Sequence, residues 1–445
     1  MRRSTVFLLL FVLAAGSVPG AGRQGPVRGP LGFSVEEFRL RNGLRVILSV
    51  DNRLPLVTVA VGYGAGTIRE KPGQEGLAYL LENLMFQGSE NVGPLQHVGF
   101  VQKVGGELNA TTTIDKTLFH QTLPSSYLAL ALWLESDRMK SLSITGAAIQ
   151  RTRAEIVQAH RGRLASDPYL ASFTEFDRLL FPDHAYGHPL IGSGEGMEGL
   201  AEADIAAFHR AHYIPNNAVL AIVGDIDPDR TKELVARYFE TIPAGDDLPA
   251  PAKPEFRKES DTVARFVPIR LSSAGFHMGF RFYPLQPGEI DVLRILVCLL
   301  FEGDTARLRN RLLRRDRTSQ FVSAVLEERL SVAALKVFSL NTNADMVNRS
   351  ERAILSELEK LRLSTVSQEE LNRARRRYKL SYYDRVSTLS GRALFIIDAA
   401  FAGTALDSLG ADLERALKVE PPALLTFVSR YFTPQNRVVL ELGPR

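Results

Sequence analysis

Histidine, cysteine and glutamate have the chemistry to act on a substrate, and the eight histidines and one cysteine of this chain are scattered. His184 and His188 stand four apart, the spacing at which two imidazoles on one helical face can share a metal ion. Gly187 and Pro189 argue against a helix there, so the pair reads as part of a packed loop. Cys298 is the only cysteine, which excludes an internal disulfide and any cysteine-based zinc cluster. It lies in the apolar run Ile295–Phe301, where a buried, inert thiol is expected. Glu82 falls on an amphipathic helical stretch and, taken alone, reads as a solvated polar residue.

The elements that would position these groups follow from periodicity. Glu37-Phe-Arg-Leu-Arg41 and Leu44-Arg-Val-Ile-Leu48 alternate in polarity around Asn42-Gly43 and predict a hairpin. Leu56–Val61 predicts a third strand. Helical periods run from about Glu75 to Phe86, Ser126 to Met139 and Ala147 to Arg163. A Pro-rich stretch, 242–260, reads as a linker between an N-terminal domain at 33–241 and a C-terminal domain at 261–445. Pro215, Asn217 and Val219 recur as Pro434, Asn436 and Val438 at an offset of 219 residues, and Ile205 and Phe208 recur as Leu424 and Phe427. Five matches at one offset predict a duplicated helix-turn-strand unit. Strands clustered around long helices make each half an α+β sandwich.

Composition narrows the function. A 45% hydrophobic, 23% charged chain is a folded globular one, and a net charge of +4 with intermixed signs argues against nucleic-acid binding. Residues 1–22 have the order of a secretory signal: Arg2 and Arg3, an apolar run from Thr5 to Ala15, then Val18 and Gly20 before the cleavage point. The run is too short to span a bilayer of about 30 Å. No cysteine stands near the cleavage point and no second apolar stretch is long enough to span, so a soluble, secreted and most simply periplasmic protein is expected.

Gly76-Leu-Ala-Tyr79-Leu-Leu-Glu82-Asn83-Leu-Met-Phe86-Gln-Gly88-Ser89 is more specific. It resembles the zinc-binding helix of the pitrilysin/insulinase family of peptidases, in which His-x-x-Glu-His follows Gly-Leu-Ala. In that motif two His four apart hold Zn²⁺ and the Glu activates a metal-bound water. By this resemblance Tyr79 and Asn83 stand at the two His positions, Glu82 remains as a vestigial general base, and the third ligand position, a Glu on a later helix, falls on Ala159. Tyr, Asn and Ala are poor or impossible zinc ligands, so no zinc and no other cofactor is expected. His160, with His120, is the nearest substitute, although one residue of displacement turns a side chain about 100° around a helix.

Gly105-Gly-Glu-Leu-Asn109-Ala110-Thr111 and the trailing Asp115-Lys-Thr117 resemble the family strand with which substrates pair as an added β-strand. Pro182–Gly192 resembles a family loop. In the C-terminal half the family's closing Arg and Tyr fall on Leu313 and Gln320, while Arg307–Arg317 reads as a solvated basic helix face. The resemblance spans about residues 33–443. It implies two homologous α/β sandwich halves arranged as a clamshell, and it implies a non-catalytic, peptide-binding subunit partnered by a homologous subunit that retains zinc. A stand-alone scaffold or peptide-binding protein, and a zinc endopeptidase using substitute ligands, are the competing readings.

Overall fold

The computed structural model describes residues 27–29, 31–143, 145–182, 184–192, 197–250, 262–266, 273–329 and 332–443. The expected signal segment and residues 251–260 of the expected linker lie outside them. Among the described residues no helix is long and apolar enough to cross a membrane.

Two sheets organise the chain. The strands of the first are β1 (Val27–Arg28), β2 (Ser34–Arg39), β3 (Arg45–Val50), β4 (Leu56–Tyr63), β5 (Glu107–Thr112), β6 (Thr117–Pro124) and β7 (Ala218–Gly224), in the order β1-β2-β3-β7-β4-β6-β5. The second holds β8 (Thr262–Phe266), β9 (Ala274–Phe282), β10 (Phe321–Glu328), β11 (Ala333–Asn341) and β12 (Arg437–Leu442), in the order β10-β11-β9-β12-β8. The predicted hairpin is present: β2 and β3 pair antiparallel, with Gly43 at the turn in the left-handed region (φ +86°) that glycine tolerates. The predicted third strand, β4, does not join that hairpin directly. β7 inserts between them, parallel to β3 and antiparallel to β4.

The helices, in chain order, are α1 (Leu77–Leu84), α2 (Gln96–Lys103), α3 (Leu128–Lys140), α4 (Gly146–Ser166), α5 (Leu170–Leu180), α6 (Glu202–His212), α7 (Pro228–Phe239), α8 (Glu289–Phe301), α9 (Arg307–Asn310), α10 (Ala344–Leu363), α11 (Gln368–Ser387), α12 (Leu389–Phe401), α13 (Ala411–Leu417) and α14 (Pro421–Tyr431). The duplication read at an offset of 219 residues extends to whole elements. Helix α6 maps onto α14 end to end, and the order β3-β7-β4-β6-β5 maps onto β8-β12-β9-β11-β10. Even the joint is repeated: Asn217 Nδ2 donates to His212 O at 2.7 Å and Asn436 Nδ2 to Tyr431 O at 2.9 Å. In each repeat a side-chain amide satisfies a helix-terminal carbonyl that has no partner in its own helix.

One face of each sheet packs on helices of its own half. The other face is covered by a helix from the opposite half. Helix α12 lays Ala393, Ile396 and Ile397 on Ile47, Ala60, Val219 and Ala221 of the first sheet. Helix α5 lays Phe176 and Leu180 on Ala334, Phe338 and Leu440 of the second. These two helices are themselves counterparts in the repeat. Each is seated over a strand glycine: a Cβ at Gly62 would lie 2.6 Å from Ile397, and one at Gly279 would lie 2.7 Å from Phe176. Each also accepts an arginine from the opposite sheet, Arg45 to Ala400 O at 2.9 Å and Arg281 to Leu180 O at 3.3 Å. The two homologous halves thus close on one another as a clamshell. A cavity of about 900 Å³ lies at their junction, with Lys116 on one side and Arg294, Arg329 and Asp412 on the other.

Candidate functional site

Helix α1 is fixed at both ends. Gly76, at its N-cap, has φ +93°, and a Cβ there would lie 2.4 Å from Ile191 O, so both conformation and space call for glycine. The Glu70 carboxyl accepts from Gly76 N–H at 3.0 Å and Ala78 N–H at 2.8 Å, satisfying main-chain donors that have no partner within the helix. Burial pushes the Glu70 pKa up to about 8, against the pull of those donors. Sequence reading missed Glu70; the signal available was an acidic residue shortly before Gly76-Leu-Ala, where a helix begins. At the other end Arg151 of α4 donates to the buried Gln87 at 2.7 Å.

Along α1, Leu77, Ala78, Leu80, Leu81 and Leu84 face the core. Tyr79 and Asn83 are half-buried, one turn apart, and Asn83 Nδ2 donates to Tyr79 O at 2.8 Å. Glu82 is not the solvated residue that its helix position alone predicts, being only 9% exposed. It lies against β5, where the neighbouring Thr112 opposes the upward pKa shift that burial imposes. Its Oε2 is buried without a hydrogen-bond partner.

Helix α4 packs beside α1. Thr145 caps it by accepting from Ala148 N–H at 3.2 Å, and Ile149, Thr152, Ile156 and Val157 turn inward. Ala159 is exposed. The residues at the three positions do not fit zinc. Tyr79 and Asn83 are neutral, the Asn83 amide is engaged within its own helix, and Ala159 has no donor atom. Among the described residues no group of three or more His, Cys, Asp or Glu is disposed to hold a metal ion. His160 does not meet His120. His120 lies on β6 beside Leu118 on the sheet face that α12 covers, whereas α4 packs with α1 on the other face.

Strand β5 ends the sheet order, so its outer edge bears no strand among the described residues. The register fixes which groups that edge offers. Thr113 N–H donates to Lys116 O at 2.8 Å, and Asn109 opposite His120 and Thr111 opposite Leu118 continue the alternation. The odd-numbered residues therefore bond β6, while the main-chain groups of Leu108, Ala110 and Thr112 point outward. Side chains alternate as well. Ala110 packs against the core that holds α1, and Asn109 and Thr111 are exposed on the opposite face.

The remaining predicted residues lie elsewhere. The Pro182–Gly192 segment holds a short 3₁₀ turn, Ala185–Gly187, in which His184 Nδ1 accepts from Tyr186 N–H at 3.1 Å. Leu313 packs on the C-terminal core in a π-helical turn, and Gln320 is exposed just before β10, so the two form no closing pair. The basic face is not simply solvated: Arg307 pairs with Glu370 at 2.8 Å and Arg311 with Glu357 at 2.8 Å. Cys298 is 3% exposed, and burial beside Glu302 raises its pKa, as an inert thiol requires.

A duplicated α/β unit, with a helix bearing Glu82 beside an exposed sheet edge, defines the class. Residues 45–193 match the family described as Insulinase (Peptidase family M16), and residues 200–378 match Peptidase M16 inactive domain. The chain belongs to the insulinase family of M16 peptidases. Zinc protease PqqE of Helicobacter pylori is 25% identical over 413 residues, which cover 92% of this chain and 93% of that protein. An uncharacterized zinc protease of Mycobacterium bovis is 28% identical over 217 residues, 49% of each chain. Among solved structures, a protease from Helicobacter pylori superposes with a TM-score of 0.86 at 22% identity, covering 92% of this chain and 99% of that one. The periplasmic protease PqqL from Escherichia coli superposes with a TM-score of 0.75 at 16% identity, and the match covers 92% of this chain but 48% of PqqL.

Proposed function

We propose that this chain is a non-catalytic, peptide-binding subunit of an M16-type metallopeptidase assembly. In this reading it works beside a homologous subunit that supplies the zinc. The observation that carries this is the residue set Tyr79, Asn83 and Ala159 on α1 and α4, within a fold otherwise kept. Without a metal, Glu82 has no water to polarise. What the chain keeps is the shell and the free edge of β5, whose bare Ala110 leaves the main chain approachable. The match to only 48% of PqqL supports a partner, since a related protein carries a further unit of comparable length in one chain. The signal-like residues 1–22 and the similarity to a protein named periplasmic support a periplasmic location.

The test is co-purification from the native host, followed by peptide cleavage assays with and without this chain. Recovery of an M16 homologue with intact His-x-x-Glu-His, and cleavage by the pair above that of the homologue alone, is the expected result. Recovery of this chain only with itself or with unrelated proteins, and no effect on cleavage, would sink the subunit reading in favour of a stand-alone binding protein.

A further inference from the structure

The outward edge of β5 bears no strand among the described residues, but one of its donors is already engaged. Its even-numbered residues carry the N–H groups that an added strand would need. Ala110 N–H donates to Oδ1 of its own neighbour, Asn109, at 2.9 Å. One outward edge donor is therefore taken by a side chain of the strand itself. Exposed sheet edges invite unwanted pairing, and side chains that cover the edge are one way of preventing it. Asn is suited to the task because its short amide competes locally for main-chain partners.

We infer that the β5 edge is self-capped at Ala110: Asn109 occupies its outward N–H group, and an extended peptide pairs with this edge only by displacing the Asn109 amide. The inference rests on the peptide-pairing reading above and adds the element that sets its affinity. Asn109 is exposed, so its side chain can rotate away without disturbing the core. It is therefore a movable cap. A peptide that engages the edge gains the Ala110 donor only after the Asn109 amide has left it. The cap weakens every extended peptide to a similar degree, whatever its side chains.

The experiment compares wild type, Asn109→Ala and Asn109→Asp by amide hydrogen exchange at Ala110 and by anisotropy of a short fluorescent peptide of alternating valine and serine. A single hydrogen bond of ordinary strength corresponds to roughly a two- to tenfold effect. Ala110 exchange should quicken by about that factor in N109A, with Thr111 unchanged, and N109D, which keeps an acceptor oxygen, should stay near wild type. Peptide binding should tighten by about the same factor in N109A. Unchanged Ala110 exchange in N109A would overturn the cap. Faster exchange with weaker or unchanged peptide binding would overturn the gating role while leaving peptide pairing in place. Faster exchange with no peptide bound by any of the three proteins would overturn the pairing reading, and the gate with it.

Discussion

Asn83 donates its side-chain N–H to the main-chain carbonyl of Tyr79, 2.8 Å away and one turn back on the same helix. Two positions spaced to bridge a metal ion are thus tied together inside the helix. The geometry that would present two ligands is kept and the ligand chemistry is not.

If side-chain chemistry is all that is missing, it can be restored. The triple variant Tyr79→His, Asn83→His, Ala159→Glu should bind roughly one zinc per chain, whereas Asn83→His alone should bind far less, since structural and catalytic zinc sites need at least three protein ligands. Metal analysis after dialysis against zinc, with circular dichroism to confirm folding, checks this. Equal zinc uptake by the single and triple variants would count against the assignment of the three positions.

The crossing helices make their glycine seats sensitive. Gly279→Ala places a methyl 2.7 Å from the Phe176 ring, and Gly62→Ala places one 2.6 Å from Ile397. Overpacking of this kind costs about 1–3 kcal/mol, so both variants should lose stability of that order in urea unfolding. Gly162, on the exposed end of α4 with open space around its Cα, is the control. Gly162→Ala should be neutral or stabilise by roughly 0.5–1 kcal/mol, through helix propensity. A Gly279→Ala protein as stable as wild type would contradict the seating of α5 on the second sheet.

Acid should loosen the same junction. His277 lies on β9, 1% exposed, hydrogen-bonded to Ser172 of α5 at 2.8 Å and stacked between Phe176 and Phe338. Burial, with Lys336 nearby, lowers its pKa to about 3, and burial lowers that of His209 to about 4. An unfolded histidine titrates near 6.5, so between these values the unfolded chain binds more protons than the folded one. Their contribution to stability is therefore complete above about pH 6.5 and falls as the pH drops toward 4 and then 3. Glu70, with its raised pKa, contributes a slope of the opposite sign between about pH 8 and 4.5. Urea midpoints across this range should show the decline, and His277→Gln should flatten part of it. A His277→Gln protein whose urea midpoint falls with acid as steeply as wild type would exclude a neutral buried imidazole at this position.

Local features of the fold were legible in the sequence, and its long-range exchanges were not. Asn42-Gly43 marked the hairpin because a left-handed turn needs such residues, and the Pro215/Pro434 offset marked the repeat because both copies need the same joint. Nothing local says that β7 enters between β3 and β4, or that α5 and α12 cover each other's sheets. An amphipathic stripe shows that a helix face is buried, not which sheet buries it. Glu82 illustrates the same limit at the site. Its polarity suggests solvent, but β5 lies over it and turns it into a buried carboxyl.

If Tyr79, Asn83 and Ala159 leave this M16 chain without a metal centre of its own, the purified wild-type chain should take up no zinc. The decisive measurement is its zinc content after incubation with excess zinc and dialysis, paired with cleavage of an unstructured peptide with and without chelator. The expected result is zinc far below one per chain and no chelator-sensitive cleavage. Stoichiometric zinc together with cleavage that a chelator abolishes would contradict it.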